Sequence, residues 1–542
     1  MQEISKQNKS IVSHSTALQY LLVLFAFLFL MTTNVLGANY YIDPNGNDRN
    51  DGLNINTPWK TLVKGIQDAK PGDTVYLREG VYRQSISLGG DSLAHFATNA
   101  SKSSRIVFKS YPGEQAVISS MKLRNKPEYW EQVPSYKNIF MTAITPSRLP
   151  GKYLPERVPN CSQNGIPLML MTDTYTNGGP KLLTGPGQWV RNTNPDVLNI
   201  YVWSRDGKNP GLSQTEICEF PWGGSSTIGL YCNRSRVSKK PQPDFITFED
   251  LTIEGGYHAL SIETNNIEVR NCVIRNSYSC GIKVGGAKPK NPNKPDDIID
   301  VDYYNSLNVR VTGCDISYFG YTGIDLTGGD DWIIENSQIH HGIQTRNSDN
   351  KLDNFVSAAI VLKNNCKRAV VQKNKIFDIN PLYGAITIGG SSWSGVNPDG
   401  SRWVSIADEA VDCIVRENEI YNVKGDCAVL FMAANNCTFR DNLVRDSQFS
   451  NSLIRFASVN TNNKKYVNRD CSIVNNVFFN NKVSSGFMYK IPRGRVVNLK
   501  SDYNTVQPSL GCFYNDEPLT IEQFRELGYE ENSKTKISGI EN

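Results

Sequence analysis

A single short phrase recurs eight times between Phe245 and about Ile491, and it limits the folds open to this chain of 542 residues. Two of the copies read IEVRNCVI, at 267–274, and CIVRENEI, at 413–420. The last apolar position of the phrase forms a column of Ile253, Ile274, Ile316, Ile339, Ile376, Ile420, Val444 and Phe478. Apolar residues at alternate positions predict strands with one buried face, and repetition at a nearly fixed spacing predicts a solenoid.

Each phrase is followed by a second short strand, such as GIKV at 281–284 or GIDL at 323–326. Its two apolar columns read Leu260, Ile282, Ile324, Ile360, Ile386, Val429, Ile454 and Met488, then Ile262, Val284, Leu326, Leu362, Ile388, Phe431, Phe456 and Lys490. Lys490 is the one polar residue in these columns. The position between them should face outward, and it reads Ser261, Lys283, Asp325, Val361, Thr387, Leu430, Arg455 and Tyr489.

The spacing between copies indicates the type of solenoid. Uninterrupted copies lie 21 to 24 residues apart in the isoleucine column. That length fits one coil of an all-β, right-handed parallel β-helix, in which like residues stack at about 4.8 Å. Leucine-rich repeats have a similar period, but their leucine-dense pattern is absent. An amide ladder at one bend is therefore expected from Asn374, Asn418, Asn442 and Asn476.

Residues 1–38 are expected to be a secretory signal. Lys6 and Lys9 precede an apolar run at 21–31, and small residues follow it. The run is too short to cross a bilayer, which favours a cleaved signal over the alternative of an uncleaved anchor. We therefore expect a secreted or periplasmic protein that has no membrane association after signal cleavage.

The chain has twelve cysteines, which in an exported protein would ordinarily suggest disulfides. Cys413, Cys437 and Cys471 occupy one position in three successive copies, and Cys272 and Cys314 occupy another in two. Stacked thiols pack well in an apolar core, so we expect these five to be free and buried. The net charge of +4 is nearly balanced and gives no reason to expect a nucleic acid partner.

The rest of the chain divides around the repeats. Residues 39–120 should form an N-terminal cap and the first coils, with a helix capped by Thr57 covering the open end of the solenoid. Residues 121–240 lack the coil pattern and predict an inserted, irregular β-rich subdomain, whose tryptophans either form its core or stack on sugars. The β-helix with its groove loops is expected over 241–510, and a C-terminal tail over 511–542.

Three segments carry a family resemblance. The opening YYIDPNGNDRNDGLNINTPWKTLVKGIQDAKPGDTVYLREGVYR, at 40–83, resembles that of many secreted bacterial right-handed parallel β-helix enzymes that act on polysaccharides. LLTGPGQWVRNTNPDVLNIYVWSRDGKNP, at 182–210, is similar to an insertion of β-helix glycoside hydrolases, and LTIEQFRELGYEENS, at 519–533, is similar to their tail. The resemblance implies a carbohydrate-active enzyme of the glycoside hydrolase and polysaccharide lyase group. The Asp-rich calcium motif of calcium-dependent pectate lyases has no match here, so their site is not transferred.

Long insertions locate the expected site. Extra residues interrupt the repeat at 286–306, 342–357, 390–411 and 459–470. Three of these insertions follow the second strand of a coil, whereas 342–357 precedes it. The loops should therefore rise on both sides of one sheet face and form an open groove suited to a chain-like ligand.

Asp325 lies centrally in the outward column of this face, with Lys283 one coil below. A carboxylate there could act as general acid, general base or nucleophile on a sugar, or it could form only a surface ion pair with Lys283. Asp408 and Glu409, at the end of the 390–411 insertion, are the other catalytic candidates. The substrate-binding candidates on the same face and its loops are Lys363, Thr387, Trp393, Trp403, Arg455 and His341.

Three functions remain open on these residues, and the similarity of the insertion and the tail to glycoside hydrolases makes a glycoside hydrolase the preferred one, ahead of a polysaccharide lyase. A glycoside hydrolase would need a second carboxylate. A partner one coil from Asp325 would fit a retaining enzyme, and a partner two coils away, at about 9.6 Å, would fit an inverting one. No other carboxylate lies in the column of Asp325. A polysaccharide lyase would use a Lys or Arg base beside a uronate, for which Lys283, Lys363 and Arg455 are suited. A non-catalytic glycan-binding protein could use the same scaffold. Each function takes a polysaccharide or oligosaccharide as partner, and a monomer is expected.

One acidic loop raises the question of a metal. The loop at 296–302 could bind Ca²⁺ through its carboxylate oxygens, but it lacks the glycine and spacing of a known calcium loop. A solvated acidic loop is the simpler interpretation, so no cofactor is expected.

Overall fold

The computed structural model describes residues 37–88, 100–144, 161–171, 179–192, 198–218, 226–230, 244–284, 306–342, 345–346, 352–353, 356–390, 395–396, 402–403, 408–461, 464–507 and 509–535. Apart from Gly37 and Ala38, the predicted signal lies outside these ranges. No helix within them is long and apolar enough to cross a membrane.

The repeated phrases form a right-handed parallel β-helix, as the sequence predicts. A representative coil contains the strands Arg310–Thr312, Asp315–Ser317, Thr322–Thr327 and Gly329–Asp330. Equivalent strands of successive coils pair in parallel, and they build four sheets, numbered 1 to 4 here in their order along a coil. The repeated phrase covers sheets 1 and 2, and the second strand of each copy belongs to sheet 3.

The strands of sheets 1 and 2 are short and regular. Sheet 1 contains Asn39–Ile42, Thr74–Leu77, Ile106–Ser110, Ile246–Glu249, Glu268–Arg270, Arg310–Thr312, Ile333–Glu335, Val370–Gln372, Ile414–Arg416, Thr438–Arg440, Ser472–Val474 and Lys500–Asp502. Sheet 2 contains Gly80–Tyr82, Ala116–Ser119, Leu251–Glu254, Val273–Arg275, Asp315–Ser317, Gln338–His340, Lys375–Phe377, Glu419–Tyr421, Leu443–Arg445 and Val477–Phe479.

Sheet 3 carries the expected site, and sheet 4 is a row of two-residue strands. Sheet 3 contains Ile86–Leu88, Ile228–Leu230, His258–Ile262, Cys280–Val284, Thr322–Thr327, Ala358–Lys363, Gly384–Gly389, Lys424–Met432, Gln448–Ala457, Lys482–Val483, Phe487–Ile491, Gly511–Tyr514 and Glu517–Leu519. Sheet 4 contains Ser306–Leu307, Gly329–Asp330, Cys366–Lys367, Ala410–Val411, Ala434–Asn435, Asn468–Arg469 and Val496–Val497.

The asparagine ladder is confirmed. The side-chain amide of Asn374 donates to Asn418 Oδ1 at 2.9 Å, and the amides of Asn418 and Asn442 each donate to the next Oδ1 at 3.0 Å. The ladder continues from Asn476 to Asn504, also at 3.0 Å. Each buried amide thus satisfies its neighbour, which is the condition for placing polar groups inside a solenoid.

The isoleucine columns are buried as predicted, but the last copy is displaced by one residue. Ile454 pairs with Tyr489, and Arg455 pairs with Lys490. Tyr489 is therefore buried and Lys490 faces outward, which is the reverse of the prediction. Ile454 pairs with Tyr489 instead of the predicted Met488, and this shift of one residue brings Tyr489 to the buried face, while Met488 is buried as well.

The five stacked cysteines are free and buried, as predicted. The same holds for all eleven cysteines in the described ranges. Burial raises the pKa of Cys280 to about 12 and that of Cys471 to about 11, which suppresses the reactive thiolate.

We therefore expect unreduced, denatured protein to label at eleven or more cysteines, and the folded protein to label far more slowly. Thiol counting with an alkylating reagent and mass spectrometry checks both states. Recovery of Cys413, Cys437 and Cys471 in disulfide-linked peptides would contradict the expectation.

At the N-terminus, the helix begins later than predicted. It spans Leu62–Asp68, and its N-cap is Thr61, whose hydroxyl accepts from the backbone N–H of Lys64. Thr57 is not the cap, because its hydroxyl instead donates to Asp51 in the preceding turn. Leu62 is buried among the residues of the first coils, so the helix packs against the start of the solenoid.

The chain between the first coils and the main repeats supplies most strands of two further sheets, of which the larger is mixed and the smaller is antiparallel. The larger contains Glu131–Gln132, Phe140–Ile144, Met169–Met171, Gln188–Arg191, Leu198–Trp203, Thr345–Arg346 and Leu352–Asp353, and the smaller contains Lys122–Leu123, Cys161–Gln163, Ile166–Pro167 and Thr215–Ile217. Short 3₁₀ helices span Pro127–Tyr129, Pro180–Leu182 and Pro210–Leu212. Trp130 and Trp189 are buried in the core of this subdomain, which favours packing over sugar stacking for both. Trp222 lies outside the described residues.

The last elements close the far end of the solenoid. A helix over Ile521–Glu526 is capped by Thr520 in a reciprocal capping box with Gln523. Ile521 and Phe524 are buried against the last coils. Two further hairpins, in the insertions, pair Gly395–Val396 with Arg402–Trp403 and Val459–Thr461 with Lys464–Tyr466.

Candidate functional site

The outward face of sheet 3 aligns the predicted site residues. Lys283 pairs with Asp325 and Asp325 pairs with Val361 in consecutive parallel strands. The same column continues through Thr387, Leu430 and Arg455. Neighbouring members are one strand spacing apart, about 4.8 Å, so side chains from adjacent coils can meet.

Four side chains on this face form one connected group, called here the Lys–Asp–Lys cluster: Lys283, Asp325, Thr327 and Lys363. Lys283 Nζ donates to Asp325 Oδ2 at 2.8 Å and to Thr327 Oγ1 at 2.7 Å. The Thr327 hydroxyl in turn donates to Asp325 Oδ1 at 2.7 Å. Lys363 Nζ, from the next coil, lies 3.6 Å from Asp325 Oδ2. Each carboxylate oxygen therefore has at least one donor.

The charges of the cluster follow from its burial and its partners. Asp325 is only 3% exposed, and burial by itself would raise its carboxyl pKa. The ammonium groups of Lys283 and Lys363, with the hydrogen bonds from Lys283 and Thr327, outweigh burial and hold the pKa well below its ordinary value. Asp325 reciprocally raises the pKa of Lys363, against the opposing effect of burial. Two ammonium groups surround one ionised carboxylate, so the cluster is net positive.

The predicted ion pair between Asp325 and Lys283 is present at 2.8 Å, but its exposure was predicted wrongly, because the carboxylate is buried. Replacing it by Asn would leave two partly buried ammonium groups without their counter-ion. We expect Asp325→Asn to lower the free energy of unfolding by about 1–3 kcal/mol.

The pKa of Asp325 also makes a prediction about pH. A carboxyl pKa depressed by folding stabilises the protein above the unfolded-state value, about 3.9, and the benefit is lost as pH falls below it. The stability difference between the wild type and Asp325→Asn should therefore be constant from pH 7 to about pH 5 and shrink below about pH 4. Chemical denaturation at several pH values measures it, and a difference that persists undiminished at pH 3 would contradict the expectation.

The structure gives the two adjacent carboxylates Asp408 and Glu409 different surroundings. Glu409 is buried; its Oε2 accepts from the backbone N–H of Asn364 at 2.8 Å, and its charge adds to the raised pKa of Lys363. Asp408 pairs instead with Arg469 on sheet 4, at 2.6 Å. Glu409 thus lies close to the Lys–Asp–Lys cluster, whereas Asp408 is engaged elsewhere.

Two of the substrate-binding candidates lie further along sheet 3. Thr387 is 5% exposed, and its hydroxyl has no hydrogen-bond partner among the described residues. Arg455 forms an ion pair with Asp426 at 2.6 Å and remains about one-third exposed. Thr387 and Arg455 lie two and four coils from Asp325, so they are separate from the cluster itself.

Of the other three candidates, only the side chain of His341 is described, and its contacts lie outside the cluster. His341 occupies the bend between sheets 2 and 3 in a left-handed conformation, φ 50°, and contacts His340 and Asp378. Trp403 lies in a hairpin strand of the 390–411 insertion. Trp393 falls outside the described residues, as does the acidic loop at 296–302. Within the described ranges, no three His, Cys, Asp or Glu side chains are grouped in a way that could hold a metal ion.

The 342–357 insertion, beside sheet 3, pairs with the inserted subdomain. It contributes Thr345–Arg346, which pairs with Met169–Met171 of the subdomain sheet. This strand pairing joins the insertion beside the face to the inserted subdomain, and the repeat spacing does not reveal it.

The sequence pattern also does not single out Tyr321, whose phenol adds to the raised pKa of Lys363. The sequence does contain one signal for Tyr321: an aromatic residue immediately before a strand of sheet 3, which occurs again at Tyr383.

Comparisons with known proteins agree on the architecture. The family described as "right handed beta helix region" matches residues 299–450, less than a third of the chain. An uncharacterized protein of Bacillus subtilis, YwoF, is 32% identical over 106 residues, which are 19% of this chain and 21% of that protein. The pectate lyase PEL9 of Emericella nidulans is 29% identical over 103 residues, which are 19% of this chain and 23% of that protein. The matched segments thus span about a fifth of these relatives.

A solved structure described as a glycoside hydrolase has the same architecture. Its TM-score is 0.52 at 12% identity, and the alignment covers 85% of this chain and 96% of that one. At this identity the similarity concerns the fold. The sequence repeats, the sheet pairing and these relatives together identify the chain as a right-handed parallel β-helix protein.

Proposed function

We propose that this protein cleaves glycosidic bonds in a uronate-containing polysaccharide, and that it does so over the Lys–Asp–Lys cluster by β-elimination. The observation that carries the proposal is the convergence of Lys283 and Lys363 on the single buried carboxylate of Asp325. A net positive site on a sheet face suits an anionic sugar better than a neutral one. The partial match to a pectate lyase supports this class of substrate.

The two lysines have different tasks in this mechanism. The Lys363 ammonium, kept charged by Asp325, pairs with the substrate carboxylate and makes the hydrogen on the adjacent carbon more acidic. Lys283 acts as the general base: its ammonium group first releases a proton to water, and the neutral amine then removes the substrate proton. The electron pair forms a carbon–carbon double bond, the glycosidic C–O bond breaks, and the leaving oxygen takes up a proton from water. Asp325 and Thr327 hold Lys283 in place through hydrogen bonds of 2.8 and 2.7 Å.

Hydrolysis is the second candidate, because Glu409 places a second carboxylate close to Lys363. Asp325, ionised over the neutral range, would then act as base or nucleophile. The downward shift of its pKa is opposite to what a general acid requires, so Glu409 or a residue of the insertions would have to donate the proton. Hydrolysis thus requires a proton donor that is not assigned, whereas elimination uses the two lysines of the cluster. We therefore prefer elimination.

The proposal also includes the surroundings in which the reaction takes place. A polysaccharide substrate is consistent with the predicted export signal at 1–38 and with a monomer that acts outside the cytoplasm. The proposed domain boundaries remain 39–120, 121–240, 241–510 and 511–542, with the groove in the third segment.

A polysaccharide panel tests the function. Purified protein is incubated with uronate polymers and with neutral polysaccharides, and the products are followed by ultraviolet absorbance and mass spectrometry. We expect unsaturated products from a uronate polymer. Saturated products, heavier by one water, would favour hydrolysis, and binding without turnover would favour a glycan-binding protein.

A further inference from the structure

The residues that precede the strands of sheet 3 form a column of their own along one edge of the sheet. Tyr321, Ser357 and Tyr383 occupy it in three successive coils. The backbone N–H of Ser357 donates to the Tyr321 carbonyl at 2.6 Å, and that of Tyr383 donates to the Ser357 carbonyl at 3.2 Å. The three residues are therefore in register, with the tyrosines two coils apart.

The two tyrosine side chains are exposed to solvent, although the serine between them in the column is buried. Tyr321 is 40% exposed and Tyr383 is 45% exposed, whereas Ser357 is buried. Leu382, beside Tyr383, is also 45% exposed, which extends the apolar surface. Single exposed aromatics are ordinary, but two at the same register flanking a small buried residue form a regular surface.

This surface lies on the same sheet as the Lys–Asp–Lys cluster. Tyr321 immediately precedes the strand Thr322–Thr327, which carries Asp325. Asp325 is the largest cause of the raised pKa of Lys363, and the Tyr321 phenol adds to it, so the phenol lies within electrostatic range of the amine. The 342–357 insertion leaves the solenoid at the same edge. The tyrosine column therefore runs parallel to the column that contains Asp325, about 13 Å away along the strands. A chain that stacks on the two rings would lie beside the cluster.

We infer that Tyr321 and Tyr383 form a platform on which sugar rings of the substrate stack, binding an oligosaccharide that runs along the solenoid axis beside the Lys–Asp–Lys cluster. Their separation of two coils is about 9.6 Å, similar to the length of a disaccharide unit in an extended polysaccharide. Tyrosine gives a rigid, flat, amphipathic surface that suits the C–H face of a sugar ring. This inference rests on the proposed function and names the residues that position its substrate.

The platform makes a prediction about chain length. Affinity of the wild type should increase as a uronate oligosaccharide is lengthened from dimer to hexamer, until both rings are covered. Tyr321→Ala and Tyr383→Ala should each weaken binding of the longer oligosaccharides by roughly tenfold, the effect of losing one well-packed aromatic contact. The dimer should be affected by at most one of the two substitutions. Tyr321→Phe and Tyr383→Phe keep the ring and should bind nearly as the wild type does.

Titration calorimetry with the oligosaccharide series measures affinity, and steady-state kinetics separates KM from kcat. Tyr129→Ala, a similarly exposed tyrosine of the subdomain, is the matched control and should leave both unchanged. Raised KM with unchanged kcat for the Ala variants supports the platform. The platform would be overturned if both Ala variants cleaved the substrate with the KM and the chain-length dependence of the wild type. It would also be overturned if the wild type bound no oligosaccharide. Tyrosine-dependent binding without any cleavage would support the platform and overturn the proposed function alone.

Discussion

Lys283→Arg should abolish most turnover and leave the fold intact. Arginine keeps the positive charge beside Asp325, but it stays protonated and therefore cannot accept a proton from the substrate. Loss of a general base typically costs on the order of 10²–10⁴ in rate, so we expect kcat to fall by that factor. The measurement is the formation of unsaturated product from a uronate polymer by the variant, compared with the wild type.

Two further variants separate the tasks of the lysines. Lys363→Met removes the proposed partner of the substrate carboxylate, so its larger effect should be on KM. Lys375→Met, at an exposed lysine on sheet 2, is the control and should behave as the wild type does. Near wild-type kcat in a folded Lys283→Arg protein would remove Lys283 as the base.

Glu530→Ala should be among the most destabilising single substitutions in the chain. Glu530 is fully buried near the end of the asparagine ladder. Its Oε1 accepts from the hydroxyl of Tyr489 at 2.5 Å, from the amide of Asn504 at 2.9 Å and from the hydroxyl of Ser501, and its Oε2 accepts from Ser533. Alanine would leave these buried donors without an acceptor. Since each orphaned group costs about 1–3 kcal/mol, we expect a loss of roughly 3–5 kcal/mol in the free energy of unfolding.

The neighbouring residue supplies the control for this prediction. Glu531 is exposed, so Glu531→Ala should leave the unfolding midpoint almost unchanged. Glu530→Gln keeps one acceptor oxygen and should have an intermediate effect. Denaturant unfolding followed by circular dichroism compares the three. Equal midpoints for Glu530→Ala and Glu531→Ala would show that the tail does not contribute to closing the solenoid.

The repeat made much of this fold predictable. In a solenoid, equivalent residues of successive coils have the same neighbours, so a column read from the sequence is a column in space. That is why the buried isoleucines, the stacked thiols and the ladder from Asn374 to Asn476 could be predicted from one chain. The prediction failed in the last copy, where the shift of one residue exchanges Tyr489 and Lys490, because a register change leaves no mark in the spacing of the earlier copies.

The candidate site was only partly predictable. The sequence places Asp325 and Lys283 on one face and in adjacent coils, since their strands share a repeat position. It does not reveal that Lys363, two residues further along the next strand, reaches back to the same carboxylate. Nor does it separate Asp408 from Glu409, which are adjacent in sequence but face different partners.

By itself, the sequence determined the solenoid and, outside the last copy, the face to which each strand side chain points. These follow from the period of two along a strand and the coil length, both of which are local properties. The tertiary structure alone decided that Asp325 is buried between two ammonium groups, that the 342–357 insertion joins the subdomain sheet, and that Glu530 closes the ladder. Each of these depends on contacts between side chains or strands from different coils or segments, and such distances are set by packing rather than by sequence spacing.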